Sequence, residues 1–140
     1  MTAKKRILIL CTGNSARSQM AEGLLRHAAG QRFDVFSAGT KPSHVREEAV
    51  AVMRELGIDI SSYRSKSVDE FAGQSFDYVL TVCDNAKESC PIFPGNTATI
   101  HHAFEDPAAF QGSDQDLLAL FRRVRDQIRE YLRTDLQELS

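Results

Sequence analysis

The chain has 140 residues, which is about the length of one domain with one hydrophobic core. Its hydrophobic share of 42% and charged share of 26% are ordinary for a globular protein, and its net charge of -2 argues against a polyanionic partner such as nucleic acid. Any bound anion must therefore be held by local geometry. We expect a single domain over residues 1–140.

The N-terminal segment and the cysteine content indicate where the protein works. The first apolar run covers only Ile7 to Leu10, whereas a secretory signal needs about 7–15 apolar residues and a membrane span about 20. Three cysteines is an odd number, which favours a reducing compartment and cysteine chemistry over a framework of structural disulfides. We therefore expect a cytoplasmic protein without a membrane partner.

The first half of the chain is predicted to form a strand, a helix, a strand and a helix. The strands cover Arg6–Leu10 and Phe33–Ala38. The first helix ends at Gly30, and its apolar face consists of Met20, Ala21, Leu24, Leu25 and Ala28. The second helix stops at Gly57, and its apolar face consists of Val45, Ala49, Val52, Met53 and Leu56.

The second half continues the alternation. It predicts a short helix over Val68–Ala72, a strand over Phe76–Cys83, a helical turn around Asn85–Cys90 and a weak strand over Ala98–His101. Ser113 caps a last helix, with an apolar face of Leu117, Leu120, Phe121, Val124, Ile128, Tyr131 and Leu132. This order indicates an α/β domain whose parallel sheet is covered on both faces and binds ligands beyond the carboxyl ends of its strands.

The loop after the first strand has the residue pattern of an oxyanion site. Cys11 is followed by five residues and then by Arg17 and Ser18, where a helix begins. Such a loop can turn successive backbone N–H groups inward, and the helix adds the positive end of its dipole. We predict that the guanidinium of Arg17 binds the oxyanion together with the loop residues Thr12, Gly13, Asn14, Ser15 and Ala16.

Cys11 lies at the mouth of this predicted nest. A free thiol has a pKa of about 8.5, and helix N-termini and cations lower it to about 3.5–7.5, so we expect a stabilised thiolate. Ser18 can add a hydrogen bond to the sulfur. A lone cysteine is usually a small hydrophobe and a lone arginine a surface charge, but their spacing between strand and helix favours a catalytic Cys11.

The Cys11-to-Ser18 loop resembles that of low-molecular-weight protein tyrosine phosphatases and of the arsenate reductases that share their fold, and the resemblance covers essentially the whole chain. It implies a four-stranded parallel sheet in the order 2-1-3-4, flanked by helices. It also implies that Asp106, which precedes Pro107, is the general acid that protonates the leaving oxygen. Alone, an Asp-Pro pair indicates only a turn.

Two features favour a reductase over a phosphatase. The resembled phosphatases have a tyrosine soon after the Asp-Pro pair, where it stacks on the substrate ring, but Pro107–Phe110 here reads Pro-Ala-Ala-Phe. Hydrolysis also needs only one cysteine, whereas this chain has Cys83 and Cys90. The setting of this pair resembles that of thioredoxin-coupled arsenate reductases. An intact helix over the pair would span about 10.5 Å, so a disulfide would require the segment to bend or unwind.

The resemblance implies a relay of three thiols. Cys11 attacks arsenate while Asp106 protonates the departing oxygen; Cys83 then attacks Cys11, and arsenite leaves. Cys90 attacks Cys83 and presents a Cys83–Cys90 disulfide to thioredoxin, or to another carrier such as glutaredoxin. Phosphate and sulfate are the expected competitors of arsenate. We expect a monomer without a bound cofactor or metal.

Other functions remain open at this point. A tyrosine phosphatase would hydrolyse phosphoesters through a Cys11 phosphoenzyme. A non-enzymatic oxyanion-binding domain would use Cys11 and Arg17 but leave Asp106 without a role. Zinc could be bound by four candidate ligands, although their spacing is longer than zinc sites usually show: Cys83, Cys90, His101 and His102.

Four residues are predicted to support the loop: Asn14, Glu22, Ser37 and Lys66. Asn14 would brace it by a hydrogen bond across the loop, and Glu22 and Ser37 would form a polar cluster beneath it. In some members of the resembled family, similar residues and a further aspartate bind potassium. Here Lys66 stands in that neighbourhood, and its ammonium either replaces the ion or is simply a solvated charge.

Overall fold

The protein forms a four-stranded parallel sheet. The structure is a computed structural model, and it describes residues 4–84, 86, 90 and 93–136. The strands are Lys5–Cys11 (β1), Phe33–Gly39 (β2), Tyr78–Thr81 (β3) and Ala98–His101 (β4). They lie in the order β2-β1-β3-β4, and all the neighbouring pairs are parallel, so the predicted fold class and strand order are confirmed.

In the part of the chain that the structure describes there are three α-helices: Arg17–Ala29 (α1), Glu47–Arg54 (α2) and Asp114–Asp135 (α3). Helix α1 packs against β1 and β2. Both α1 and α2 contact α3. Short 3-10 helices cover Val68–Phe71 and Pro107–Ala109. No helix within the described residues is long and apolar enough to cross a membrane.

The central position of β1 follows from its sequence. Ile7, Leu8, Ile9 and Leu10 are all fully buried. Because successive side chains of a strand point to opposite faces of the sheet, both faces of β1 must be covered. In α3 the predicted cap is confirmed, since Ser113 Oγ accepts a hydrogen bond from Asp116 N at 3.1 Å.

The predicted and observed elements differ mainly at their ends. β3 covers Tyr78–Thr81 and is shorter than the predicted Phe76–Cys83. Phe76 and Cys83 are buried by packing outside the strand, so their apolar character does not indicate strand pairing. Ala28 is exposed, whereas Ala29 is buried. The helical turn predicted around Asn85–Cys90 falls largely outside the described residues.

The second helix begins later than the spacing predicted. α2 starts at Glu47, not at Val45. The preceding residues 40–46 are not helical, because their backbone N–H groups donate hydrogen bonds to the loop that follows β1. We call this segment the strap. After α2, Gly57 has a φ of 76°, a left-handed conformation that glycine adopts at little cost.

Candidate active site

The loop after β1 is shaped by hydrogen bonds to its carbonyl oxygens. The strap supplies the donors: Thr40 N to Cys11 O (3.2 Å), Lys41 N to Thr12 O (2.8 Å), Ser43 N to Gly13 O (3.1 Å) and Arg46 N to Ser15 O (2.9 Å). In a trans peptide the N–H points away from the C=O. The loop N–H groups are therefore directed to its other side, where they form the concave surface that an anion nest requires.

Two residues allow this close packing of strap and loop. Gly39 ends β2 beside the loop, and a Cβ atom there would lie 2.5 Å from Thr12 O and 2.9 Å from Asn14 N. Asn14 has a φ of 47°, in the left-handed region that asparagine tolerates better than most residues. The shape of the nest thus depends on Gly39 and Asn14.

Cys11 lies at the end of β1 with 2% of its surface exposed. Its Sγ lies 2.8 Å from Ser18 Oγ and accepts a hydrogen bond from Asn14 N at 3.2 Å. Burial raises the pKa of the Cys11 thiol above its ordinary value, and this outweighs the hydrogen bonds and the charge of Arg17, which lower it. The expected lowering of this pKa is therefore wrong, because the sequence does not reveal how deeply the thiol is buried.

The structure brings the four predicted loop-support residues together. Asn14 Nδ2 donates to Ser18 Oγ at 2.7 Å and to Ser37 Oγ at 3.0 Å. Ser37 Oγ donates to Glu22 Oε1 at 2.5 Å, and Lys66 Nζ lies 3.8 Å from the same carboxylate oxygen. A continuous polar network therefore runs beneath the nest from Ser18 to Lys66.

Lys66 also contacts the loop through its backbone, since its N–H donates to Asn14 Oδ1 at 3.0 Å. Burial lowers the pKa of the Lys66 ammonium, and the nearby Glu22 carboxylate opposes this change. On the other side of Glu22, Arg26 Nη2 lies 3.1 Å from Oε2. Glu22 thus lies between two cations, an arrangement compatible with an ammonium in the place of a metal ion.

Gln19 is a residue of the site that the sequence did not reveal. It is fully buried in the first turn of α1, and its Nε2 contacts Asn14 O at 3.0 Å, Asn14 Oδ1 at 2.9 Å and Arg64 O at 3.0 Å. A glutamine at the third position of a helix is a common partner in capping, which is the signal that could have singled it out. Its return to the preceding loop depends on tertiary structure.

Arg17 and Asp106 meet at the mouth of the loop. Arg17 Nη2 lies 3.6 Å from Asp106 Oδ2, and its Nη1 donates to Phe104 O at 3.1 Å. Asp106 Oδ1 accepts a hydrogen bond from Ala108 N at 3.0 Å and so caps a 3-10 helix that begins at Pro107. These contacts fix a carboxyl group beside the guanidinium, on the open side of the nest.

Within the described residues, no disulfide joins any two of the three cysteines. Cys83 is 4% exposed, and its Sγ lies 3.3 Å from Thr12 Oγ1 and 3.4 Å from Ala86 N. Because Thr12 directly follows Cys11, the side chain of Cys83 lies against the nest. Cys90 is half-buried, and burial raises the pKa of its thiol.

The two histidines near the end of β4 have different surroundings. His101 Nδ1 lies 2.7 Å from Thr81 Oγ1 and its Nε2 lies 3.0 Å from Asp84 Oδ1, whereas His102 stacks on the ring of Tyr131 with centroids 4.1 Å apart. Within the described residues, no group of three or more His, Cys, Asp or Glu side chains is arranged to hold a metal ion. The zinc alternative thus gains no support from this geometry.

A cysteine in an anion nest, an arginine from the following helix and an aspartate across the mouth are what the resemblance implied. A family model described as low molecular weight phosphotyrosine protein phosphatase matches residues 6–140. The chain belongs to this family. The resemblance to low-molecular-weight tyrosine phosphatases over essentially the whole chain is thereby confirmed.

Several proteins similar to this chain are named arsenate reductases. The arsenate reductase of Halalkalibacterium halodurans is 46% identical over 131 residues, which are 94% of this chain and 94% of that protein. A solved structure described as an arsenate reductase in the phosphate binding state has a TM-score of 0.77 and 31% identity, covering 97% of this chain and 99% of that one. A thioredoxin-dependent arsenate reductase of Corynebacterium glutamicum has a TM-score of 0.70 and 26% identity, covering 98% of this chain and 65% of that one.

Proposed function

We propose that this protein is a cytoplasmic arsenate reductase that uses Cys11, Cys83 and Cys90 in turn and is regenerated by thioredoxin. The position of Cys83 carries the proposal, since its Sγ contacts Thr12 beside the nucleophile. Hydrolysis of a phosphoester does not require a second thiol beside the nucleophile. The names of the similar proteins support arsenate as the substrate, and the thioredoxin-dependent relative supports the reductant.

The first step takes place in the nest. The loop N–H groups and Arg17 bind three oxygens of arsenate, and the Cys11 thiolate attacks arsenic from the closed end of the nest. Asp106, on the opposite side, donates its proton to the departing oxygen, so that water leaves as the sulfur–arsenic bond forms. The distance of 3.6 Å between Arg17 and Asp106 allows both groups to face the same oxyanion.

The second step changes the oxidation state. The Cys83 thiolate attacks Cys11 Sγ, a sulfur–sulfur bond forms, and the sulfur–arsenic bond breaks. Its electron pair stays on arsenic, which is reduced from As(V) to As(III) and leaves as arsenite. Cys83 Sγ contacts Thr12 Oγ1 at 3.3 Å, so the attacking thiol lies beside the residue that directly follows Cys11.

The third step restores the nucleophile. The Cys90 thiolate attacks Cys83 Sγ, so that Cys11 leaves as a thiolate and a Cys83–Cys90 disulfide forms. An external dithiol such as thioredoxin then reduces this disulfide and returns both thiols. In sum, arsenate and one dithiol give arsenite, water and one disulfide. Phosphate and sulfate compete for the nest because they present the same tetrahedral array of oxygens.

Phosphoester hydrolysis is the second candidate function. Cys11, Arg17 and Asp106 provide the nucleophile, the oxyanion clamp and the acid that this reaction needs, without any second thiol. Phe110, the first aromatic residue after the Asp-Pro pair, is 38% exposed. Because no tyrosine follows soon after the Asp-Pro pair to stack on a phosphotyrosine ring, we expect at most a side activity on small aryl phosphates.

The test is arsenate-dependent consumption of NADPH in the presence of thioredoxin and thioredoxin reductase. We expect turnover with the wild-type protein and its loss in each of three variants: Cys11→Ser, Cys83→Ser and Cys90→Ser. Hydrolysis of an aryl phosphate is measured in parallel. No NADPH consumption by the wild-type protein, together with hydrolysis that depends on Cys11 alone, would show that the protein is a phosphatase.

A further inference from the structure

The side-chain amide of Gln19 has a single workable orientation. Its Nε2 faces Asn14 O, Asn14 Oδ1 and Arg64 O, so its two hydrogens are shared among three acceptors. Within the described residues, Gln19 Oε1 has no hydrogen-bond partner. Turning the amide over would place this oxygen against three other oxygens in a site that is fully buried, so the nitrogen must face the loop.

Gln19 in turn fixes the side-chain amide of Asn14. Asn14 Oδ1 accepts from Gln19 Nε2 at 2.9 Å and from Lys66 N at 3.0 Å. The Nδ2 group on the other side donates to Ser18 Oγ and Ser37 Oγ. If the Asn14 amide turned over, two donors would face its nitrogen and two hydroxyl groups would lose their donor.

The orientation of Asn14 decides which atom of the Ser18–Cys11 contact is the donor. A hydroxyl group has one hydrogen, and Ser18 Oγ already accepts one from Asn14 Nδ2 at 2.7 Å. The hydrogen of Ser18 is therefore available for Cys11 Sγ, which lies 2.8 Å away. A hydroxyl that donates to sulfur stabilises the thiolate over the thiol.

We propose that Gln19 is a positioning residue for the nucleophile: it holds Asn14 in the orientation that directs the Ser18 hydroxyl at Cys11 Sγ. Gln19 acts through these two residues, since its own amide contacts the backbone and side chain of Asn14 and the backbone of Arg64. The same contact with Asn14 O keeps that carbonyl turned out of the nest. Gln19 thereby controls both the nucleophile and the shape of the anion site.

The charged groups around Cys11 are left in place by a change at Gln19. Arg17 faces the thiol from α1, and Asp106 lies beyond Arg17 across the mouth of the loop. Glu22 and Lys66 lie on the far side of Ser37 and Asn14. A shift in the ionisation of Cys11 in a Gln19 variant therefore reports the hydrogen-bond chain.

The decisive variant is Gln19→Met, which has a side chain of similar length without a donor. It is made in the full-length chain with Cys83→Ser and Cys90→Ser, so that Cys11 is the only thiol. We measure the pH dependence of Cys11 alkylation by iodoacetamide and the affinity for inorganic phosphate by calorimetry. Compared with the parent, we expect alkylation to require higher pH and phosphate binding to weaken about tenfold, as for the loss of one buried hydrogen bond.

Two controls separate positioning from a loss of stability. Gln74→Met makes the same chemical change at a glutamine that contacts Arg6, remote from the nest. Ile128→Val removes one methylene from the fully buried face of α3 and is expected to lower the melting temperature. We expect both controls to keep the alkylation profile and the phosphate affinity of the parent.

Gln19→Asn provides a second, uncharged variant. Its amide lies on a side chain one methylene shorter and cannot reach all three acceptors, so both readouts should change in the same direction as for Gln19→Met. If the folded Gln19→Met and Gln19→Asn variants melt earlier but keep the parent profile and affinity, Gln19 has a structural role only and the proposal is wrong. If Gln19→Met does not fold, Gln19→Asn alone decides in the same way. Neither readout involves arsenate turnover, so the result is independent of the proposed function.

Discussion

Cys11, the proposed nucleophile, and Cys83, the thiol proposed to resolve it, lie in different surroundings. The loop of Cys11 is bonded to the strap along its backbone and to Gln19 through Asn14. Cys83 Sγ instead contacts Thr12 Oγ1 at 3.3 Å and Ala86 N at 3.4 Å, and sulfur is a weak hydrogen-bonding atom. Chemistry on an oxyanion requires fixed donors, whereas thiol exchange requires a sulfur that can change partners.

This difference assigns two kinds of defect to two parts of the protein. Changes in the nest should affect arsenate and aryl phosphate alike, because both proposed reactions begin with attack by Cys11 on a bound oxyanion. Changes around Cys83 should affect mainly the reduction of arsenate. The ratio of the two activities is therefore the quantity that separates the regions.

The largest effect is expected for Asp106→Asn, which belongs to the nest. An amide cannot protonate the leaving oxygen, and the substitution also removes the carboxyl group that lies 3.6 Å from Arg17. We expect kcat to fall about 10²–10⁴-fold for both arsenate and an aryl phosphate. Steady-state kinetics with both substrates measure this.

Its matched control is Glu105→Gln, the same chemical change at the preceding residue, which pairs with the exposed Arg123. The control should retain wild-type kcat for both substrates. Equal losses in Asp106→Asn and Glu105→Gln would contradict the assignment of the general acid.

Ser18→Ala sharpens the account of the nest. The hydrogen bond from Ser18 is the largest of the effects that lower the pKa of Cys11, while burial already raises it. Loss of the hydroxyl should raise the pKa of Cys11 further. The fraction of thiolate at a given pH then falls, and alkylation requires a higher pH. The pH profile of iodoacetamide alkylation measures the shift, with the exposed Ser62→Ala as control. An unchanged profile would show that Ser18 does not donate to the sulfur.

Thr12→Val tests the other region with a side chain of nearly the same shape. The backbone N–H of residue 12 is retained, but the hydroxyl that contacts Cys83 Sγ is lost. One hydrogen bond of about 0.5–1.5 kcal/mol corresponds to a change in rate of about 2- to 10-fold. We expect rapid-quench measurements to show slower release of arsenite, with a smaller effect on aryl phosphate hydrolysis. Equal effects on arsenite release and on aryl phosphate hydrolysis would show that Thr12 acts through the nest and not through its contact with Cys83.

The smallest effect concerns the cation beneath the nest. Lys66 Nζ lies 3.8 Å from Glu22 Oε1, so we expect potassium to stabilise the wild-type protein no more than sodium does. Lys66→Asp exchanges the ammonium for a carboxylate beside Glu22, and this variant should melt at a higher temperature in potassium than in sodium. A potassium-specific rise in melting temperature and activity of the wild-type protein would refute the replacement of the ion by Lys66.

Much of the fold could be predicted because the chain repeats a simple local pattern. Apolar runs such as Ile7–Leu10 and helical spacings such as that of α3 are set by neighbouring residues, and the family resemblance supplied the strand order. The ends of elements were predicted less well. α2 begins at Glu47 because the strap binds the loop, and this long-range pairing has no local signature.

The same reasoning explains what the sequence did and did not reveal of the site. Cys11 and Arg17 are marked by their spacing and Asp106 by the resemblance, and the structure places these three around one loop. Gln19 is hidden in an ordinary helical turn, because only the folded chain shows that its amide returns to Asn14. The wrong direction for the pKa of Cys11 has a similar origin, since spacing indicates neighbours but not depth of burial.

The most direct test of the relay is to stop it after the second step. Cys90→Ser, treated with a stoichiometric amount of arsenate and quenched with an alkylating agent, is digested and its peptides are identified by mass spectrometry. The proposed relay predicts a Cys11–Cys83 disulfide and one arsenite released per protein molecule. Recovery of Cys11 and Cys83 as separately alkylated thiols, with arsenate unchanged, would contradict it.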